Sequence, residues 1–209
     1  MQTTFILQAA QAVNQAIINS EAEIESLDRE IGDGDHYLNI RRGCATVVAL
    51  QDELSALTPD AALQKIGMKL LSTIGGASGP LIGSFFMSMG KAAKENGSSS
   101  LPQIAAAFTA GVEAIKQRGK ADVGQKTMLD VLIPVARKFE ALAAQGTEHS
   151  VLLDTLKQTA EAGVESTRNM IATKGRAAFL GERAIGHLDA GAKSSQVMIH
   201  AVCDLALSQ

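Results

Sequence analysis

Tryptophan is absent from this chain of 209 residues, and there is a single tyrosine, Tyr37. Aromatic residues make up only 3% of it, too few to stack successive nucleobases. A basic excess is missing too: the formal net charge is -3, which leaves no patch able to neutralise a phosphate backbone. Nucleic acid is therefore not an expected partner. Cysteine is scarce, with Cys44 and Cys203 far apart and each inside an apolar helical pattern. They read as buried free thiols in a reducing compartment rather than as a disulfide. No positive charge precedes the short apolar run in Met1–Ala10, so no secretory signal is read there and a cytoplasmic location is expected. Alternating strand patterns and internal repeats are also missing, which makes the class all-α.

What is present is a hydrophobic content of 46%, enough for one sizeable core, and residues 1–209 are expected to form one domain. Apolar residues recur at helical spacing from about Gln2 to Leu27, and a second helix is expected from about Leu38 to Glu53. Thr58-Pro59-Asp60 supplies an N-cap with proline at the first helical position, opening a helix to about Leu71. Further helices are expected from Pro80 to Lys94, Pro102 to Gln117, Lys126 to Ala144, Ser150 to Thr173 and Ser194 to Leu207. The total is about eight, with Pro134 either kinking its helix or marking its first turns.

Leu70 to Gly90 carries no charge over 21 positions, and Gly75, Gly79 and Gly83 repeat at the interval of membrane helix pairs. Its centre, Gly75-Gly76-Ala77-Ser78-Gly79-Pro80, would break a lone helix in lipid, and the flanks lack aromatic anchors. The favoured reading is a helix, a glycine-rich turn and a buried helix.

Chemistry concentrates in Asp28 to Gly43, where Asp28, Asp33 and Asp35 fall at offsets of five and two around Gly32 and Gly34. Oxygen-only ligand sets suit magnesium, calcium or manganese, and magnesium commonly combines a few carboxylates with phosphate oxygens. Read alone, the same aspartates could equally be helix caps and turn formers. No Walker A loop is present, because Gly90-Lys91 and Gly119-Lys120 are each followed by alanine. An EF-hand starting at Asp33 would need ligands at Tyr37 and Cys44 that are not there. Gly76-Ala77-Ser78-Gly79-Pro80 misses the nucleophile elbow by one glycine and lacks its strand.

Four separated motifs now stand in order: Leu27 to His36; Gly75 to Pro80; Gly124-Gln125-Lys126-Thr127-Met128; and Gly175-Arg176 through Gly191-Ala192. Together they resemble the nucleotide-binding L subunit of dihydroxyacetone kinase, over nearly the whole chain. The resemblance implies an eight-helix antiparallel barrel with the nucleotide at one end. It implies Asp28, Asp33 and Asp35 as ligands of two Mg2+ ions that bridge the phosphates of ADP or ATP. It further implies that His36, Tyr37, Leu38, Asn39, Ala77 and Ser78 meet phosphates. Gly119, Met128, Arg176, Asp189, Ala190 and Gly191 would frame the rest of the nucleotide, the last glycine-rich segment acting as a lid. No catalytic side chain is expected beyond this metal-nucleotide site.

The length resembles the sugar-phosphotransferase-dependent branch, whose L subunit keeps ADP as a cofactor. That subunit takes a phosphoryl group from a phosphohistidine carrier subunit and passes it to dihydroxyacetone on a separate K subunit. A homodimer is left open. The chain departs from the family where Tyr37, Ile40 and Ala190 replace its usual glycine, methionine and proline. Tyr37 is expected to narrow the mouth or to touch the partner's substrate, which keeps a related triose or tetrose in view. The competing expectations are an L-type subunit of an ATP-using kinase for such a sugar and a non-enzymatic nucleotide-sensing module. His36 could instead simply open a helix and Arg176 be a surface cation, while His187 and His200 read as structural or solvent-facing rather than catalytic and the other methionines as core.

Overall fold

Each helix expected from the periodicity is present, but several are broken or shortened. The computed structural model describes residues 1–209. In place of one helix to Leu27 there are α1 (Thr3–Asn19) and α2 (Glu21–Ile31). The break falls at Asn19-Ser20, residues that favour caps over helix interiors, and Glu21 and Glu23 then complement the new N-terminus. The second expected helix likewise divides into α3 (His36–Ala49) and α4 (Gln51–Ser55). α5 (Pro59–Thr73) opens on Thr58 with Pro59 in its first turn, although the threonine side chain makes no capping bond. α6 (Ser78–Asn96) and α7 (Leu101–Gly119) follow, the latter on a complete Ser100/Gln103 capping box.

α8 (Leu129–Ala144) starts three residues later than expected, because Lys126 has φ +60° and cannot be helical. Pro134 lies inside it rather than in its first turn. α9 (His149–Ser166) stops short of the expected Thr173. Ser166 and Thr167 hydroxyls donate back to the Gly163 and Val164 carbonyls, competing with the helical pattern. A long connection with two 3-10 turns, Thr167–Asn169 and Arg176–Ala184, then leads to α10 (Ala190–Leu207).

The architecture is all-helical, with ten α-helical segments where eight helices were expected. Neighbours pack in the order α1, α3, α5, α6, α7, α8, α9, α10, and α10 returns to α1, so the ring closes. One large apolar cluster lies among α7 to α10, around Ile115, Leu129, Val131, Leu152 and Ile199. A second lies between α1 and α3 to α6, around Leu54, Leu63, Ile66 and Leu70. Phe85 packs on both clusters and makes edge contacts with Phe86 and Phe108 at 5.1 and 5.5 Å.

The charge-free run divides between α5, a turn and α6, and no helix is long and apolar enough to cross a membrane. Its glycines serve close packing: a Cβ on Gly83 would sit 2.9 Å from the Gly67 carbonyl, and one on Gly67 would sit 2.7 Å from that of Gly83. Both cysteines are free, Cys203 buried and Cys44 half-buried. Burial pushes their thiols up to about 12 and about 11 respectively, so both stay protonated.

Candidate functional site

Helices that alternate in direction around a ring bring alternate N-termini to one rim, and here the rim collects the starts of α3, α6, α8 and α10. First-turn N–H groups have no partner inside their own helix, so each start offers donors to an anion. At α3 one donor is used by the protein itself, because His36 N–H donates to Asp28 Oδ2 at 3.0 Å.

The aspartate loop lies between α2 and α3. Asp28 is buried in the last turn of α2, Gly32 ends that helix, and Asp35 precedes α3. A Cβ on Gly32 would fall 1.8 Å from Asp28 Oδ1, so only glycine leaves that carboxylate its place. Gly34 takes φ +78°, which reverses the chain between Asp33 and Asp35. One carboxylate oxygen from each of Asp28, Asp33 and Asp35 lies within 4.8 Å of the others. Three hard oxygen donors on so small a cradle fit magnesium or manganese.

The long connection bends over this cluster. Arg176 Nε donates to Asp33 Oδ2 at 2.8 Å, and His187 Nδ1 lies 2.8 Å from Glu30 Oε2. Ile31 packs with Ala172, Ala177 and Ala184, giving the connection an apolar foot on α2. His36 Nε2 lies 3.0 Å from Ser194 Oγ, tying α3 to α10. Desolvation pushes the His36 imidazole below its ordinary pKa despite Asp28 nearby, so the ring is neutral at pH 7.

Asn39 is buried, and its Oδ1 lies 3.1 Å from where a Gly75 Cβ would be, which places the turn before α6 beside α3. In that turn Ala77 is exposed and Ser78 half-buried at the start of α6. Gly119 ends α7 on the same rim, against Leu81. Met128 precedes α8, with its N and Cβ 3.6 and 3.7 Å from a Cβ built on Gly191. Asp189 caps α10, accepting from Ala192 N–H at 2.7 Å, and is followed by Ala190 and Gly191. The residue is half-buried, but its carboxyl sits deep enough that desolvation pushes it up to about 7, against the helix start it caps.

Tyr37 requires a correction. Its side chain is 4% exposed, packed with Ile17, Ile24 and Ile40, and its hydroxyl donates to Glu21 Oε2 at 3.1 Å. The phenol therefore points into the core and neither narrows the mouth nor reaches a partner. Only its backbone N–H remains at the rim. Leu38, one residue on, is 59% exposed instead.

Lys126, Asp130 and Thr167 were not among the expected site residues, although all three are buried at this end. Asp130 accepts from Gly124 and Thr127 N–H groups at 2.5 and 2.7 Å, holding the loop before α8. Thr127 and Asp130 stand at the capping-box spacing, and that was the available signal.

Fold and rim together define a class, an all-helical domain whose open end presents three carboxylates, helix N-termini and an arginine suited to a metal-bound polyphosphate. The DAK2 domain matches residues 30–204, and the chain belongs to that family. It is 41% identical over 184 residues, 88% of each chain, to the ADP-binding subunit of the PEP-dependent dihydroxyacetone kinase of Escherichia coli (strain K12). A corresponding ADP-binding subunit of Listeria innocua serovar 6a is 38% identical over 209 residues, 98% of this chain and 95% of the relative. The crystal structure of the dihydroxyacetone kinase from C. freundii in complex with AMP-PNP and Mg2+ superposes with a TM-score of 0.76 at 25% identity. That match covers 99% of this chain and 34% of the solved one, so this chain spans about a third of that kinase.

Proposed function

We propose that this chain is the ADP-binding subunit of a dihydroxyacetone kinase, which relays a phosphoryl group from a phosphohistidine carrier to dihydroxyacetone held on a separate K subunit. The observation that carries this is the convergence of Asp28, Asp33 and Asp35 within 4.8 Å at a rim that Arg176 also reaches. The names of the Escherichia coli and Listeria innocua relatives support the same reading.

In this role Asp28, Asp33 and Asp35 would hold two Mg2+ ions. Bound there, the ions would supply the positive charge that phosphoryl transfer needs at the phosphate oxygens. The free Tyr37 and Leu38 N–H groups at the start of α3 and the Asn39 side-chain amide, with the Ala77 and Ser78 N–H groups and the Ser78 hydroxyl at α6, orient the phosphates, the Asn39 N–H itself being bonded to the Asp35 carbonyl. The His36 ring is occupied with Ser194, which leaves it to position the start of α3. Gly119 and Met128 line the wall where the base lies, Asp189, Ala190 and Gly191 continue that wall beside Met128, and Arg176, held at the aspartate loop by Asp33, covers the phosphates.

Exposed apolar side chains at this rim, Leu38, Leu71, Ile171, Phe179 and Ile185, suit docking of the K subunit and the carrier. The ring closes through α1 and α10, from opposite ends of the chain, which supports one domain over residues 1–209. Two free, protonated thiols suit a cytoplasmic setting. With Tyr37 buried, the residue that pointed to another acceptor no longer does so.

Reconstitution with the K subunit and a phosphorylated carrier tests this directly. Dihydroxyacetone phosphate is expected to form with ADP in catalytic amount, and to cease when this chain is omitted. A nucleotide-sensing module predicts no transfer, and an ATP-using subunit predicts product from ATP without the carrier.

A further inference from the structure

The motif from Gly124 to Met128 leaves Lys126 without a role, yet Lys126 is the largest fully buried side chain in the protein, 1% exposed. It is one of two non-glycine residues with positive φ, a conformation that persists only where its surroundings impose it. Its ammonium donates to the carbonyls of Thr167 and His187, both at 2.6 Å. Those carbonyls stand at the two ends of the connection that carries Arg176.

Other bonds gather at the same base. Asp189 N–H donates to Thr167 Oγ1 at 3.0 Å, and Gly186 N–H donates to the Arg168 carbonyl at 2.8 Å. Asp130 fixes the lysine's own loop from below. Filling this space with leucine or methionine would avoid the desolvation of an ammonium. A buried charge placed between the two ends of this connection does what packing cannot, since it draws both carbonyls to one point.

We propose that Lys126 is a positioning residue for the nucleotide, a role that rests on the site proposed above: its ammonium ties the ends of the Thr167–Asp189 connection so that Arg176 and the start of α10 keep their place over the phosphates. Lys126→Met keeps the length of the side chain and removes the tie. Thr167→Val removes the hydroxyl's bonds to Asp189 N–H and to the Val164 carbonyl and leaves the lysine tie in place. Leu54→Ala, in the other apolar cluster, controls for lost stability.

Two rates are read at a temperature where all variants are folded: tryptic cleavage at Lys174, Arg176 and Arg183 without nucleotide, and dissociation of ADP in Mg2+. Lys126→Met is expected to raise both by about tenfold or more, the value of a charged hydrogen bond, Thr167→Val by less, and Leu54→Ala neither. Wild-type rates in Lys126→Met, or equal acceleration in Leu54→Ala, overturn the tie. If Lys126→Met does not fold, Lys126→Gln, which removes the ammonium and keeps a shorter donor, is read against the same control, and rates equal to wild type overturn the tie. Wild-type protein that binds no ADP overturns the proposed site instead, while the cleavage comparison still judges the tie.

Discussion

Asp33 already attracts one cation, the Arg176 guanidinium at 2.8 Å, while Asp28 is engaged by His36 N–H at 3.0 Å. The cluster is thus partly satisfied by the protein, which limits the repulsion three close carboxylates would otherwise suffer. Tyr37, two residues beyond Asp35, belongs to a different economy, since its ring fills the small cluster with Ile17, Ile24 and Ile40. Replacing Tyr37 by Phe should remove one hydrogen bond to Glu21 and cost about 1 kcal/mol of stability. ADP affinity should be unchanged, so a thermal melt paired with an ADP titration checks both halves. A phenol at the phosphates would instead alter affinity. Carboxylate spacing was legible in the sequence because ligand chemistry depends on residue type. The direction of Tyr37 was not, because successive residues at a helix start face different ways and one sequence does not say which faces the core. Lys126 was hidden for the same reason, its left-handed backbone being set by distant carbonyls.

Helices were legible where a 3.6-residue period coincided with a start signal, as at Thr58-Pro59, whereas the Ser100/Gln103 capping box came to light only in the structure. Ends set by side chains turning back on the backbone, such as Ser166 and Thr167, were not, because period alone carries no stop. The glycine interval in the charge-free run admitted two solvents, lipid or a protein core, and only the partner helix distinguishes them. That partner is α5, whose Gly67 meets Gly83 backbone to backbone. Gly83→Ala should therefore force α5 and α6 apart and destabilise the protein by about 1–3 kcal/mol, seen as a lower midpoint in urea or heat. A variant with wild-type stability would contradict the close approach.

At the scale of the whole molecule, ring closure converts the separate motifs into one surface. The aspartate loop, the turn before α6, the loop before α8 and the start of α10 are scattered from residue 28 to residue 191, and closure through α1 and α10 gathers them at one rim. Nothing in local periodicity specifies that closure, and it was expected only through family resemblance. Two apolar clusters joined through Phe85 hold the rim in place from beneath. The central claim is that this rim binds nucleotide through cations held by Asp28, Asp33 and Asp35. Its most direct test is calorimetric titration of nucleotide-stripped protein with ADP, in Mg2+ and in EDTA, for the wild type and for Asp33→Asn. Binding in Mg2+ should weaken by about a hundredfold or more on adding EDTA or replacing Asp33; equal affinity under all of these conditions would contradict the claim.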